Sequence, residues 1–340
     1  MTDFDLTLLE SLPDGVILTR GDAVHLLNGT ARGLLPELSP GGALPEFLRL
    51  GGSGSGRLTL GETEYILTAS RSGEEQLLLL HPAPPEQTGL TDGALWQLRS
   101  LTGELLAELG SRTDPDAPDF VGRDTVKSLH RLFRLVDNAG LLADAPLMFR
   151  PATLDLAGLC RRLTDEAGDL LKSVGAELHF ECELPSLLMS GDGGLLRRML
   201  LELISNAVKF GSGRTPVVLT LSRSASGAVL ILRDGGGAEG SRRLADALRG
   251  AEAGALPRAG QGAGLGLAAA RRVVSLHGGA LLADCSADSS RLVISLPLGQ
   301  IGPSAGVRTP DICADGGLDP VLTALSDLLP ADIFGPDSLD

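Results

Sequence analysis

Cysteine is scarce. The 340-residue chain has only Cys160, Cys182, Cys285 and Cys313, with no CxxC pair and no histidine at ligand spacing. That scarcity excludes a disulfide scaffold and a zinc framework. Aromatic residues make up only 3% of the chain, with a single Trp and a single Tyr, and none in the first segment marks a haem or flavin contact. Positive charge is also short. Twenty-nine Lys and Arg face 43 Asp and Glu, a net charge of -14 that argues against coating nucleic acid or an anionic membrane. No apolar run reaches the roughly 18 residues of a membrane span. The opening "MTDFDLTLLESLPD" is acidic where a signal peptide would be basic. These absences predict a cytoplasmic protein that binds no nucleic acid and inserts in no membrane. With 43% hydrophobic residues the chain has enough apolar content to fold, as two or three domains.

Proline and glycine punctuate the chain at "HPAPPEQTG" (81–89), "LADAPLMFRP" (142–151) and "GQIGPSAGVRTPDICADGG" (299–317). Four segments follow: 1–84, 86–145, 150–298 and 299–340. In the first, two β-branched runs meet at a Gly-Asp turn, a short helix begins near Asn28, and three strands are separated by "GET" and "RSGEE" turns. That order resembles a small PAS domain, a sensing or dimerising module.

The second segment reads as two amphipathic helices. Leu95, Leu98, Thr102, Leu105, Leu106 and Leu109 form one stripe, and Val126, Leu129, Phe133 and Val136 form the other, with "GSRTDPDAPDF" as the breaker between them. A lone hairpin cannot bury both stripes, so a homodimer with a four-helix bundle is expected. In the tail, Leu322, Leu325, Leu328 and Leu329 make a short stripe suited to docking, in cis by preference over a partner.

The third segment carries the chemistry. "GDGGLLRRMLLELISNAVKF" predicts a helix of about 18 residues capped by Asp192. Glu202, Asn206 and Lys209 share one flank of it, bringing together a carboxylate, a neutral oxygen and a cation. A magnesium-bound polyphosphate needs such a set, because Mg²⁺ takes oxygen donors and phosphate takes positive charge. The same grouping also suits a solvated helix face. "LILRDGGGAEG" then delivers Asp234 into a glycine-rich turn, and "GQGAGLGLAAARRVVSLHGG" is a glycine loop opening a helix, where backbone N–H groups meet an anion.

Taken in order, "ELISNAVKF", "DGGGA" and "GAGLGL" followed by "LHGG" resemble the N box and the two glycine boxes of the sensor histidine kinase ATP-binding domain. That domain belongs to the superfamily of gyrase and certain heat-shock chaperones. The resemblance implies a multidomain α+β protein: a PAS-like domain (1–84), a dimerisation hairpin (86–145) and an α/β sandwich that binds ATP (150–298). It implies that Asn206 coordinates Mg²⁺, Lys209 meets phosphate and Phe210 lines the adenine site. Asp234, with Gly236 in its turn, accepts from the adenine amino group. Gly262, Gly264 and Gly266 close the phosphate pocket, and Ser290 stands near adenine. Glu202 matches the general base of the hydrolysing members of the superfamily.

The departures bear on activity. The family's hairpin carries a phosphoacceptor His followed by an acid, with Pro five positions after the His. "WQLRSL" aligns there with Trp96 for His, Gln97 for the acid and Leu101 for Pro. His130 is the remaining hairpin histidine, followed by Arg131 and Leu132, and is an alternative acceptor or a structural residue. Ala238 replaces the last glycine of the first glycine box. Two readings therefore stand. One is a histidine kinase that transfers the γ-phosphate of ATP toward a response regulator. The other is a non-catalytic, ATP-binding regulator or scaffold.

Overall fold

The computed structural model describes residues 9–50 (apart from 11 and 13), 54–83 (apart from 62), 122–211, 215–234 (apart from 226), 265–285, 290–299 and 318–334. The first strands are β1 (Gly15–Arg20) and β2 (Ala23–Leu27), joined at the predicted Gly-Asp turn and followed by the short helix α1 (Gly29–Leu34). Asn28 caps α1 and is buried with its valences in use. Its Oδ1 accepts from Ala31 N and Val16 N, each at 2.9 Å, and its Nδ2 donates to the carbonyls of Leu9 and Asp14. Strands β3 (Gly54–Leu60), β4 (Thr63–Ser72) and β5 (Glu75–Pro82) complete an antiparallel array in the order β2-β1-β5-β4-β3.

Helix α2 (Arg123–Met148) runs three residues past the predicted segment end at 145, through Pro146. The first helix of the expected hairpin, with Trp96, lies outside the described residues. Next come β6 (Ala152–Asp155), helix α3 (Leu156–Leu171), β7 (Leu178–Glu181), β8 (Leu188–Gly191) and helix α4 (Gly193–Phe210). They are followed by β9 (Val217–Ser224), β10 (Gly227–Asp234), helix α5 (Leu265–Leu276), β11 (Ala280–Cys285), β12 (Ser290–Leu296) and the tail helix α6 (Pro320–Leu325). Among the described residues no helix is long and apolar enough to cross a membrane.

Strands β11-β12-β10-β9-β7 form a mixed sheet, with β7 and β9 parallel, and β6 pairs with β8 in a separate ladder. Helices α3, α4 and α5 bury one face of the sheet in a single core. Alternate residues decide which side each strand feeds. Leu230, Leu232, Leu281 and Ile294 enter the helical core, whereas Val229, Ile231, Leu282 and Val293 enter a second core with the N-terminal residues Leu48, Leu58, Leu67 and Leu78. Strands buried on both faces are apolar at consecutive positions, and "AVLIL" and "LVI" have that composition.

The two cores share one sheet. Strand β3 pairs antiparallel with β11 from Ala280↔Leu60 to Asp284↔Gly56, which makes ten continuous strands. The punctuation of the sequence, which separates segments one and three, shows nothing of this junction. Gly56 makes it possible, because a Cβ there would stand 2.9 Å from the Ala283 carbonyl oxygen. Glu64 on β4 crosses the junction. Its Oε2 accepts from Arg57 at 2.9 Å and its Oε1 faces Arg271 Nε of α5 at 2.7 Å, with all three side chains nearly buried.

Candidate nucleotide site

Helix α4 has the predicted length and start. The Asp192 Oδ1 caps it by accepting from Leu195 N at 3.0 Å, while Oδ2 accepts from Arg150 N at 2.7 Å. Its apolar face, including Leu196, Met199, Leu203 and Ile204, is buried in the helical core. Each such side chain contributes roughly 1.5–3 kcal/mol of transfer free energy. That anchorage fixes the other flank, where Glu202, Asn206 and Lys209 stand.

Glu202 is buried in a bidentate ion pair with Arg134 of α2. The Arg134 Nε donates to Oε1 and Nη2 to Oε2, both at 2.8 Å, and Asn138 Nδ2 donates to Oε1 at 3.0 Å. Burial alone would raise the carboxyl pKa, but the charge and hydrogen bonds of Arg134, with Asn138 and Arg198, outweigh it and hold the group below its usual value. This geometry departs from the expectation of a general base. A carboxylate gripped by a guanidinium fork is a weak proton acceptor, and here it fastens α2 to α4. The sequence signal for this was limited to Arg134 and Asn138 at i, i+4 on α2, a spacing that looks like an ordinary polar face.

Gly266 begins the packing of α5 on α4. A Cβ at this position would lie 2.3 Å from Glu202 Oε2 and 3.8 Å from Asn206 Nδ2. Its place in the expected phosphate loop thus coincides with a steric need for close helix approach. Asn206 is half-buried beside it, and Phe210 packs partly buried against the helical core. Asp234 ends β10, buried, and stands opposite Ser290 in the β10–β12 register. It lines a shallow depression with Ala207, Val208, Gly211 and Val217. Strand pairing thus unites the expected adenine residues of two segments 56 positions apart. Gly236, Gly262, Gly264 and the Ser290 side chain lie outside the described residues, as does Ala238.

Lys209 is engaged by the tail, which docks in cis. Its Nζ lies 3.4 Å from Asp327 Oδ2, which also accepts from Arg134 Nη1 at 3.2 Å, while Oδ1 accepts from Arg131 Nε at 2.9 Å. Burial opposes ionisation of Asp327, yet Arg134, Lys209 and Arg131 lower its pKa to about 2. The sequence stripe of leucines located this tail helix, but nothing in it singled out Asp327.

His130 is fully buried. Its Nδ1 meets Thr323 Oγ1 at 2.9 Å, its ring packs 5.2 Å from that of Phe334, and its Nε2 has no hydrogen-bond partner among the described residues. Desolvation lowers its pKa, against a weaker pull from Asp319. A phosphoacceptor needs an exposed imidazole, and His130 is sealed beneath the tail. The stripe expected to be covered is split, with Val126 buried in the helical core and Phe133 42% and Val136 51% exposed. The buried face of α2 instead carries His130, Arg134, Leu135 and Asn138, and hydrophobic periodicity cannot register a face that is half polar. His277 is structural. Its Nδ1 donates to the Val273 carbonyl at 2.8 Å, and its Nε2 accepts from Asp192 N at 2.9 Å.

These groups set a pH response. Both His130 and His277 titrate below the ordinary 6.5, chiefly through desolvation, so the unfolded chain takes up their protons first and stability declines as pH falls below 6.5. The Asp327 contribution is present above the ordinary 3.8 and is lost as pH falls through about 2. The melting temperature is expected to drop in two stages, below about pH 6.5 and again below about pH 4. A profile level down to about pH 4 would refute the histidine contribution.

Residues 191–300 match the family described as histidine kinase-, DNA gyrase B-, and HSP90-like ATPase. The adaptive-response sensory kinase SasA of Prochlorococcus marinus subsp. pastoris is 26% identical over 226 residues, covering 61% of this chain. The match spans 59% of that relative's own length, less than two thirds of it. Among solved structures, the Acinetobacter baumannii histidine kinase AdeS is 19% identical with a TM-score of 0.47, over 60% of this chain and 98% of AdeS. The histidine kinase ThkA, solved in complex with the response regulator protein TrrA, is 14% identical with a TM-score of 0.40, over 86% of this chain and 98% of ThkA.

Proposed function

We propose, from the premise that the chain is a relative of the sensor histidine kinases with its ATPase domain at residues 191–300, that it is an Mg-ATP-binding regulator of two-component signalling without autokinase activity of its own. One observation carries the second half of that reading. The single histidine of segment 86–145, His130, is buried under Thr323 and Phe334 with no acid beside it in sequence. Phosphoryl transfer needs a nucleophile in line with the γ-phosphate. The aligned position holds Trp96, whose indole N–H is a donor only.

The residues fit the nucleotide. Asp234, buried at the strand end beside the depression, would accept from the adenine amino group, and Ser290 opposite it in register would stand at the same end. Glu202 is committed to Arg134, so this flank offers Mg²⁺ the neutral Asn206 oxygen, which suits an ion held mainly by phosphate oxygens and water. Bound Mg-ATP supplies a polyphosphate whose charge Lys209 would meet, with Gly262, Gly264 and Gly266 closing on it. Phe210 would flank the base. Glu202 acts in this reading as a positioning residue that ties α2 to the nucleotide helix.

The remaining assignments belong to the same proposal. Residues 1–84 are read as a PAS-like module, supported by the strand order β2-β1-β5-β4-β3. Homodimerisation through segment 86–145 is supported by the exposed Phe133 and Val136. A response regulator or another signalling protein is the partner class, and the cytoplasm is the location.

The test uses γ-labelled ATP and calorimetry together. Wild-type protein is expected to bind Mg-ATP and acquire no acid-labile, base-stable phosphate. Asn206→Asp is expected to weaken binding by about tenfold or more, because a carboxylate beside the polyphosphate adds repulsion. Label that disappears in His130→Ala would restore the kinase reading. Unchanged affinity in both Asn206→Asp and Asp234→Ala would remove the nucleotide site.

A further inference from the structure

The seat of the tail has more structure than packing requires. Asp319 caps α6, its Oδ1 accepting from Val321 N at 2.7 Å and Leu322 N at 3.1 Å, with Pro320 in the first turn. Val321, Leu322, Leu325, Leu329 and Phe334 are buried in the same core as α3, α4 and α5. At the polar end of this seat a single carboxylate, Asp327, meets three cations: Arg131 and Arg134 from α2 and Lys209 from α4.

Lys209 is the cation that the nucleotide reading assigns to phosphate. Carboxylate and phosphate oxygens compete for the same donors, and a polyphosphate carries more charge than one Asp. We infer that residues 318–334 are an intramolecular plug of the phosphate side of the nucleotide site, with Asp327 standing where a phosphate oxygen would be received. The inference rests on the nucleotide reading and adds its regulation: docking of the tail and binding of Mg-ATP exclude one another. The same displacement takes Thr323 and Phe334 away from His130, which still lacks the neighbouring acid of a phosphoacceptor, so the reading without autokinase activity is unchanged. Nucleotide occupancy is thereby coupled to exposure of the α2 face that the tail now covers.

Coupling of this kind is reciprocal. In the full chain, Asp327→Asn is expected to strengthen Mg-ATP binding by on the order of tenfold or more, because the plugged fraction no longer subtracts from the competent one. Phe334→Ala loosens the tail at its other end and leaves the cation cluster untouched, so it is expected to strengthen binding in the same direction. In the wild-type chain, saturating Mg-ATP is expected to speed amide hydrogen exchange across 318–334. Gain of affinity in both variants together with faster exchange supports the plug. Gain in Asp327→Asn alone overturns it, since removing a negative charge near phosphate would then explain the effect. Wild-type binding of Mg-ATP with unaltered exchange in 318–334 also overturns it, and leaves the nucleotide reading standing. Absence of Mg-ATP binding in the wild type and both variants sinks the nucleotide reading and the plug together.

Discussion

Replacing Arg134 with alanine is expected to destabilise the folded chain by about 3–5 kcal/mol, the cost of leaving a buried carboxylate without its ion-pair partner. Glu202 is nearly inaccessible to water, and two of its hydrogen bonds come from the Arg134 fork. Asn138 still donates to it, but a neutral amide replaces little of the lost charge. Asp327 loses one of its three cations in the same variant. The double variant Arg134→Met with Glu202→Leu is expected to recover most of the loss, because apolar side chains of similar volume avoid the desolvation cost. Urea denaturation of the three proteins gives the comparison. A loss below about 1 kcal/mol in Arg134→Ala would mean that the pair behaves as a solvated surface bridge.

A loss of similar size, about 3–5 kcal/mol, is expected for Glu64→Ala at the junction of the two cores. Glu64 lies between Arg57 on β3 and Arg271 on α5, and the three side chains are 12%, 11% and 7% exposed. Removing the carboxylate takes away the negative charge that Arg57 and Arg271 share in a region that water barely reaches. The damage is expected at the seam between β3 and β11, so amide exchange should accelerate in 54–60 and 280–285 before it does in β9 or β10. Glu64→Gln retains the shape and is expected to lose most of the same stability, which separates charge from packing. Uniform acceleration over the whole sheet would place the effect on global stability and not on the seam. Gly56→Leu attacks the same seam by sterics, since its side chain would be driven into the Ala283 carbonyl.

Much of the architecture was legible residue by residue because it depends on local rules. The Asp192 cap and the 18-residue helix from Gly193 to Phe210 are written in a capping residue and a 3.6-residue period. Asn28 likewise announces α1, and the turns at "GET" and "RSGEE" separate β3, β4 and β5. The leucine stripe after Asp319 announces a helix that needs a surface. The motifs of the ATPase family matched at residues 191–300 were legible for a related reason: neutral oxygen, cation and glycine loops occur in an order that chance seldom assembles.

Tertiary structure decided what those elements touch. Hydrophobic period registers apolar residues whether or not they end up covered, so it picked out the exposed Phe133 and Val136 and passed over the buried polar face of α2, where Arg134 and Asn138 are held by hydrogen bonds and charge. The pairing of β3 with β11 depends on backbone hydrogen bonds, which any residue but proline offers, and therefore leaves no composition signal beyond Gly56 and the doubly apolar strands. Glu202, Lys209 and Asp327 were each visible as charges in the sequence. That Glu202 belongs to Arg134, and Lys209 to an aspartate 118 positions away, follows from the three-dimensional packing of α2, α4 and the tail, because an ion pair is chosen by distance and burial and not by spacing along the chain.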